Sequence, residues 1–402
     1  MLKKLLSSSF PILPVSGVLL LMECIQGCRV GGCQNVTDEA KKVLDGNKEN
    51  ARMKKPVWFD SDIMSGHGFG SGRAADQDDG FALAALMHSS RIELVGMSAV
   101  WGNGPVEETY RKLVELADFY DLGSTMTPKI HRGCSRPIAI NTGEKVPTSR
   151  IRPVVEDSDA VIALTDYLQH LPDGEMLTIL AVGPLTNIGT VLLRNPDLAS
   201  KIEEVVVCAG RSRPEEHFIV GTEQKAPFGD MNFDFDITAF EIMLQLEIPL
   251  VLAGWQISTA FWMEIEDLVY LQNNTRHNLV RYLVHPENYS KWLETWQSMG
   301  NRIDQPTQPI KGFHPFDLLT ASYLYYREGV KVEQRRAKIL LHSDDTLPDK
   351  DNFFKYYLSA PENSANGSGT LVKFVTDAVG REEYKRYIMN LLLAESDQYS
   401  LT

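Results

Sequence analysis

The sequence predicts an α/β fold: an open, mostly parallel sheet with helices on both faces and an active site at the carboxyl ends of the strands. Three observations predict it. From Pro56 onward, short β-branched runs alternate with segments of helical spacing. Two of the runs, LTILAV and EVVVCAG, are almost continuously apolar, as strands covered on both faces must be. Polar residues gather immediately after the runs, and in a parallel sheet that position surrounds a single cleft.

The elements follow in order. VWFD opens the sheet and leads into Asp60 and Asp62, and DQDDGFALAAL then starts an apolar helical pattern. RIELVGMSAV is the second strand, followed by WGN ending at Asn103. MLTILAV leads into VGPLTN, IEEVVVCAG into AGRSRP, and IPLVLAG into GWQIS. Three stretches break the alternation: residues 63–75, the segment NTGEKVPTSRIRP, and residues 259–311, which include the tryptophan-rich YSKWLETWQSM. The first is expected as an inserted loop, either a lid carrying His67 and Arg73 or a bulge into solvent; the other two are expected as insertions over the cleft or at an oligomer contact, with a packed helical hairpin as the plainer alternative.

The chain of 402 residues is 43% hydrophobic, enough for a substantial core, and residues 56–402 are expected to form one α/β domain. Its net charge of −13, without a basic block, excludes nucleic acid as the main partner. Residues 1–55 read as a leader and linker. Two lysines precede an apolar stretch too short to span a bilayer comfortably, and small residues and cysteines follow, which is the pattern of an export signal. CIQGC, with Gly27 before Cys28, resembles a loose lipobox, so a lipid anchor at Cys28 and a plain cleaved signal both stay open. Either implies an exported protein, periplasmic, lipid-anchored or secreted. Three of the five cysteines lie in this leader, so only Cys134 and Cys208 remain and no disulfide framework or zinc spacing is present. NYS at Asn288 and NGS at Asn366 have the form of glycosylation sequons.

Residues 59–86, FDSDIMSGHGFGSGRAADQDDGFALAAL, place five acids around a glycine-rich loop. GHGFGSG does not match the dinucleotide fingerprint, and carboxylates at both of its ends would repel a pyrophosphate. One or two acids suit a helix N-terminus, and Asp76 reads as such a cap. Bringing Asp60 and Asp62 at a strand end against Asp78 and Asp79 at a helix start concentrates like charge that requires a cation, and ligation by oxygen alone selects a hard ion, calcium or magnesium. A second reading is a magnesium phosphatase of the haloacid-dehalogenase type, with Asp60 of DSD as nucleophile, although no late acidic pair accompanies it.

Five blocks in consistent order resemble the nucleoside hydrolase family of the inosine-uridine preferring type, from about Pro56 to Leu393. FDSD and DQDDGFALAAL match the two halves of its DxDxGxDDAxAL motif; LVGMSAVWGN, ILAVGPLTNIG, DMNFDFDITAF and HPFDLLTASYL match the later blocks. The resemblance implies calcium-dependent hydrolysis of the N-glycosidic bond of a ribonucleoside or related riboside, in a homo-oligomer, dimer or tetramer. It implies Asp62, Asp79, the carbonyl of Val182 and Asp317 as metal ligands, and Asp78 as general base. Asn103, Asp230 and Asn232 would contact the ribose, Asp230 standing where the family has Glu. Asp60 would support the loop.

Two departures matter. Sixteen positions separate Asp62 from Asp78, where the family has a short spacer, and the family's HD is split so that His314 and Asp317 flank Pro315 and Phe316. Phe316 therefore stands where the leaving-group acid is usual, leaving His314 or aromatic stacking by Phe316 to activate the base. A noncatalytic nucleoside- or ribose-binding lipoprotein is the reading from another class.

Overall fold

The computed structural model describes residues 54–66, 76–119, 129–140, 153–216, 218–220, 224–226, 229–300, 312–344 and 353–394. The leader with Cys28 and most of the 63–75 stretch lie outside the described residues. No described helix is long and apolar enough to cross a membrane.

Nine strands form the main sheet among these residues: β1 (Lys55–Ser61), β2 (Ile92–Ala99), β3 (Ile130–Arg132), β4 (Leu177–Ala181), β5 (Ile202–Val207), β6 (Leu250–Leu252), β7 (Val330–Ser343), β8 (Phe354–Ser359) and β9 (Thr370–Ala378). Their order is β8-β7-β9-β6-β5-β4-β1-β2-β3. Pairing is parallel from β3 through β9 and antiparallel where β7 meets β9 and β8. The sheet is open and mostly parallel, as its alternating runs predict. Strand order reverses between β1 and β4, so the ligand crevice of such a sheet falls beyond their carboxyl ends.

Side chains alternate across a strand, and β1 divides its residues accordingly. Val57 and Phe59 enter one core with helices α1 (Asp78–His88), α2 (Val106–Ala117), α7 (Trp255–Ser258), α8 (Ile265–Asn274), α9 (Asn278–Leu283), α10 (Pro286–Gly300), α11 (Phe316–Tyr325) and α12 (Arg381–Leu393). Trp58 enters the other with α3 (Asp159–His170), α4 (Thr186–Arg194), α5 (Met231–Phe235) and α6 (Ile237–Gln245). The strand interiors are apolar because both faces are covered.

Helices α1 and α11 are packed together and buried almost all round, which is why their apolar residues do not segregate to one face. Ile63 and Met64 are also buried, so the chain after Asp62 turns inward, and Ser65 Oγ accepts the Gly80 amide at 2.9 Å. Leu268, Leu271, Leu279, Val280, Leu283 and Trp296 bury the described part of the 259–311 stretch in the same core.

The carboxyl end of α1 carries His88, which meets His277 edge-on at 5.4 Å between ring centroids. Burial, then the neighbouring His88, lowers the His277 pKa from 6.5 to about 4. The unfolded chain takes up this proton between those values and the folded chain does not. Stability is therefore retained above pH 6.5 and falls as the pH drops toward 4, by on the order of 3 kcal/mol for this group. Denaturant unfolding at pH 7.5 and 4.5 is expected to show a smaller acid loss in His277→Asn than in the parent. An equal loss in both would rule out His277 as the source.

Candidate functional site

Successive backbone bonds end the central strands level with one another: Val100 N donates to Ser61 O, Val182 N to Asp60 O, Cys208 N to Ala181 O, and Ala253 N to Val207 O, at 2.9–3.2 Å. The residues just beyond, Asp62, Gly102, Asn103, Val182, Gly183 and Cys208, thereby border one place. The helices α1 and α11 bring Asp78, Asp79 and Asp317 to it in their first turns. Carboxylates are favoured at both N-termini, by about 0.3–1 kcal/mol each.

Asp60 and Ser61 illustrate the strand alternation. Ser61 Oγ reaches α1 and donates to Asp79 Oδ1 at 2.5 Å. Asp60 turns to the opposite face, where Oδ1 accepts from Ser98 Oγ and from Asn187 Nδ2, the latter at 2.7 Å. Burial pushes its pKa up to about 6, against the pull of those two donors. Asn187 also accepts the Cys134 amide at 2.8 Å, so Asp60 ties β1, β2, α4 and the loop after β3 together.

The remaining acids form one cluster. Asn103 is its centre: its amide nitrogen donates to Asp76 Oδ2 at 2.8 Å, Asp79 Oδ2 at 3.3 Å and Asp62 Oδ1 at 3.4 Å, while its backbone N–H donates to Asp62 Oδ2 at 2.8 Å. Asp317 donates its backbone N–H to Asp78 Oδ2 at 3.3 Å. Asp78 Oδ1 is buried with no hydrogen-bond partner among the described residues. Burial raises the pKa of Asp62, Asp78, Asp79 and Asp317 well above the carboxylate range. Neighbouring acids add to the shift, Asp76 foremost for Asp62 and Asp78, Asp62 for Asp79, and Asp78 for Asp317.

Asp76, expected as a helix cap, stands one residue before the N-cap of α1, Gln77. It accepts from the Asp78 amide at 3.4 Å, its carboxyl lies against that of Asp78, and Asn103 ties it to the rest of the cluster.

The glycines allow this crowding. A Cβ at Gly102 would collide with the Asp62 carboxylate, and one at Gly183 would press on the Asp62 backbone nitrogen and carboxyl carbon.

On the far wall, Asn232 donates from its amide to Val182 O at 3.1 Å and Cys208 O at 3.0 Å. Asp230 caps α5 and accepts the Gly210 amide at 2.6 Å, so both of its oxygens serve backbone groups. Opposite lies an aromatic wall. His314 Nδ1 is 3.0 Å from Phe261 O, and since a carbonyl only accepts, Nδ1 carries the proton. Trp262 meets His314 edge-on at 4.8 Å, and Trp296 stacks on Phe316 at 6.0 Å.

The structure thus brings Asp62 and Asp79 to a common partner, sets Val182 O against Asn232, and joins Asp317 to Asp78 through its backbone. Among the described residues no three His, Cys, Asp or Glu side chains are already grouped as a metal-ligand set. The donors nevertheless fit a hard divalent cation. They are all oxygen, their like charges are buried together, and one Asp78 oxygen lacks a hydrogen-bond partner among the described residues.

Sequence reasoning assigned no role to Ser61, Ser98 or Asn187, nor to Trp262 and Trp296. Asn187 was visible within VGPLTN, but which strand-end acid it would reach depends on the β1-β4 adjacency. The tryptophans sit in a segment whose packing no local periodicity reveals.

Residues 57–371 match the family model described as inosine-uridine preferring nucleoside hydrolase. A non-specific ribonucleoside hydrolase RihC from Salmonella enteritidis is 27% identical over 191 residues, covering 45% of this chain and 58% of that protein. The one from Salmonella agona is 28% identical over the same shares. The matched stretch therefore spans little more than half the length of these relatives. Among solved structures, a plant nucleoside hydrolase, PpNRh1, superposes with a TM-score of 0.59 at 17% identity, over 85% of this chain and 100% of that one. A purine-preferring ribonucleoside hydrolase from Gardnerella vaginalis gives 0.59 at 18% identity, over 85% and 99%. At such identities the likeness concerns the fold.

Proposed function

The chain belongs to the inosine-uridine preferring nucleoside hydrolase family, and from that premise we propose that it hydrolyses the N-glycosidic bond of a ribonucleoside or related riboside with Asp78 as general base. One observation carries this reading: Asp78 presents a buried carboxylate oxygen with no hydrogen-bond partner among the described residues, while its other oxygen is held by the Asp317 amide. Such an oxygen can take a proton from a water beside it.

Asp62, Asp79, Asp317 and the carbonyl of Val182 would hold the ion, for which an all-oxygen donor set suits calcium. When bound, calcium supplies positive charge that lowers the pKa of water and orients ribose hydroxyls. With Asp62, Asp79 and Val182 O on the ion, Asn103 would keep its bond to Asp76 and Asn232 its bond to Cys208 O, and the other N–H of each amide would turn to the sugar. Asp230 holds the wall of the ribose pocket through Gly210.

The chemistry follows from these placements. Asp78 Oδ1 accepts the water proton, the water oxygen bonds to the anomeric carbon, and the carbon–nitrogen bond breaks with its electron pair passing to the base. His314 acts as the imidazolium: Nδ1–H stays on Phe261 O, the Nε2 proton passes to the departing nitrogen and the ring is left as the neutral Nδ1–H tautomer, while Phe316 with Trp296 forms the surface against which the base lies.

Export, by way of either a lipid anchor at Cys28 or a plain cleaved signal, and assembly into a dimer or tetramer complete the proposal. They rest on the leader sequence and the family resemblance.

Asp60 separates this reading from the phosphatase. It is bound to Ser98 and Asn187 on the α4 face, a supporting position. Asp60→Asn is expected to reduce base release by no more than about tenfold, the scale of one buried hydrogen-bond adjustment, and the parent should not turn over p-nitrophenyl phosphate. Phosphatase activity abolished by Asp60→Asn would overturn it. Nucleoside binding without release of base from any of a panel would favour the binding protein.

A further inference from the structure

We propose that the leaving-group side of the cleft selects guanine, a base whose edge offers two adjacent N–H donors beside a carbonyl; this rests on the reading of a nucleoside substrate. The motive is a set of three buried polar atoms that have no hydrogen-bond partner among the described residues: Gln77 Oε1, Asn288 Oδ1 and Trp292 Nε1. Native proteins leave few such atoms unmatched, and a group of them invites a ligand that matches them.

Their roles are fixed by their surroundings. Gln77 Nε2 donates to Asn288 O at 2.6 Å, and Asn288 Nδ2 donates to Tyr282 O at 2.6 Å. Because a carbonyl cannot donate, each amide must turn its NH2 toward it, and each side-chain oxygen remains an acceptor. The Trp292 indole is a donor only. The set is two acceptors and one donor. Asn288 is buried at 4% exposure despite its sequon, and Gln77 is fully buried.

Their neighbours are the residues assigned above to the general base and the departing base. Gln77 immediately precedes Asp78 and touches α10 through Asn288. Asn288, Trp292 and Trp296 recur every four residues, along one face of α10. Trp292 meets Trp296 edge-on at 5.9 Å and Phe313 at 6.4 Å, and Trp296 in turn stacks on Phe316 and lies 6.0 Å from His314. The stripe therefore joins the general base to the aromatic wall. Hypoxanthine offers the carbonyl and one N–H, adenine has no N–H beside a carbonyl, and uracil has a single N–H between two carbonyls. Guanine alone of these supplies both donors and the acceptor.

The test measures equilibrium binding of guanosine, inosine, adenosine and uridine to the full chain with calcium, and scores base release in parallel samples. Guanosine is expected to bind about tenfold more tightly than inosine and about a hundredfold more tightly than adenosine or uridine, because a site with polar groups left unmatched rejects the analogue that lacks them. Trp292→Phe, which keeps a ring and removes the N–H, should weaken guanosine and inosine alike by about tenfold. Gln77→Met should bring guanosine down to inosine. Melting curves confirm that each variant is folded, and the comparison on the parent protein stands without them. Equal affinity for guanosine and inosine, or tighter binding of uridine, overturns the proposal. Selective binding of guanosine without release of guanine would uphold it while refuting hydrolysis, and unselective release would do the reverse.

Discussion

Asp78→Asn lowers the release of free base by about 10²–10⁴-fold, the range that a positioned general base contributes. The substitution is nearly isosteric and keeps an oxygen to accept the Asp317 amide, so the local geometry has no reason to change. It also removes one negative charge from a group of buried acids whose mutual repulsion opposes folding. The variant is therefore expected to melt no lower than the parent while losing turnover, and to bind nucleoside with nearly unchanged affinity. A loss of activity accompanied by an equal loss of nucleoside binding would instead make Asp78 a substrate-orienting group.

The second large effect concerns the ion and inverts sign with it. Without a divalent cation, Asp62, Asp78, Asp79 and Asp317 repel one another in a site that water does not screen. Asp79→Asn should then raise the melting temperature of chelator-treated protein. With calcium present the order reverses, because the parent gains binding free energy that the variant, short of one carboxylate ligand, largely forfeits; at a hundredfold excess over the dissociation constant that gain is about 2.7 kcal/mol. Base release should fall at least about a hundredfold in the variant at the same calcium concentration, as expected when a metal that activates the nucleophile is lost. Scanning calorimetry of both proteins with calcium and with chelator checks the crossing. Parallel behaviour of the two proteins, with no response to calcium in either, would remove the ion from the account.

Much of the scaffold was legible because it depends on short-range pattern. The apolar runs LTILAV and EVVVCAG are buried on both faces as β4 and β5, and the acids of DQDDGFALAAL do begin a helix. The site was legible where a motif fixes both a residue and its element, as for Asp78 and Asp79 at the start of α1. It was less so where a side chain's partner lies far along the chain. Asp76 has the composition of a cap but meets Asn103, 27 residues on, and Asp230, expected at the ribose, accepts from Gly210, 20 residues before it, as well as from Phe233. Asn288 has the pattern of a surface sequon, yet α10 turns it inward toward Gln77, 211 residues away. Such pairings follow from strand order and helix docking, which local periodicity does not encode.

The central claim is that the buried acids serve a calcium-dependent cleavage of an N-glycosidic bond. The most direct measurement is free-base release from a panel of ribonucleosides by the full chain, first stripped with chelator and then titrated with calcium. The expected result is no release from stripped protein, release that appears and saturates with calcium, and release about 10²–10⁴-fold lower with Asp78→Asn at every calcium concentration. Release that is indifferent to chelator and calcium, or no release from any nucleoside when calcium is saturating, would contradict it.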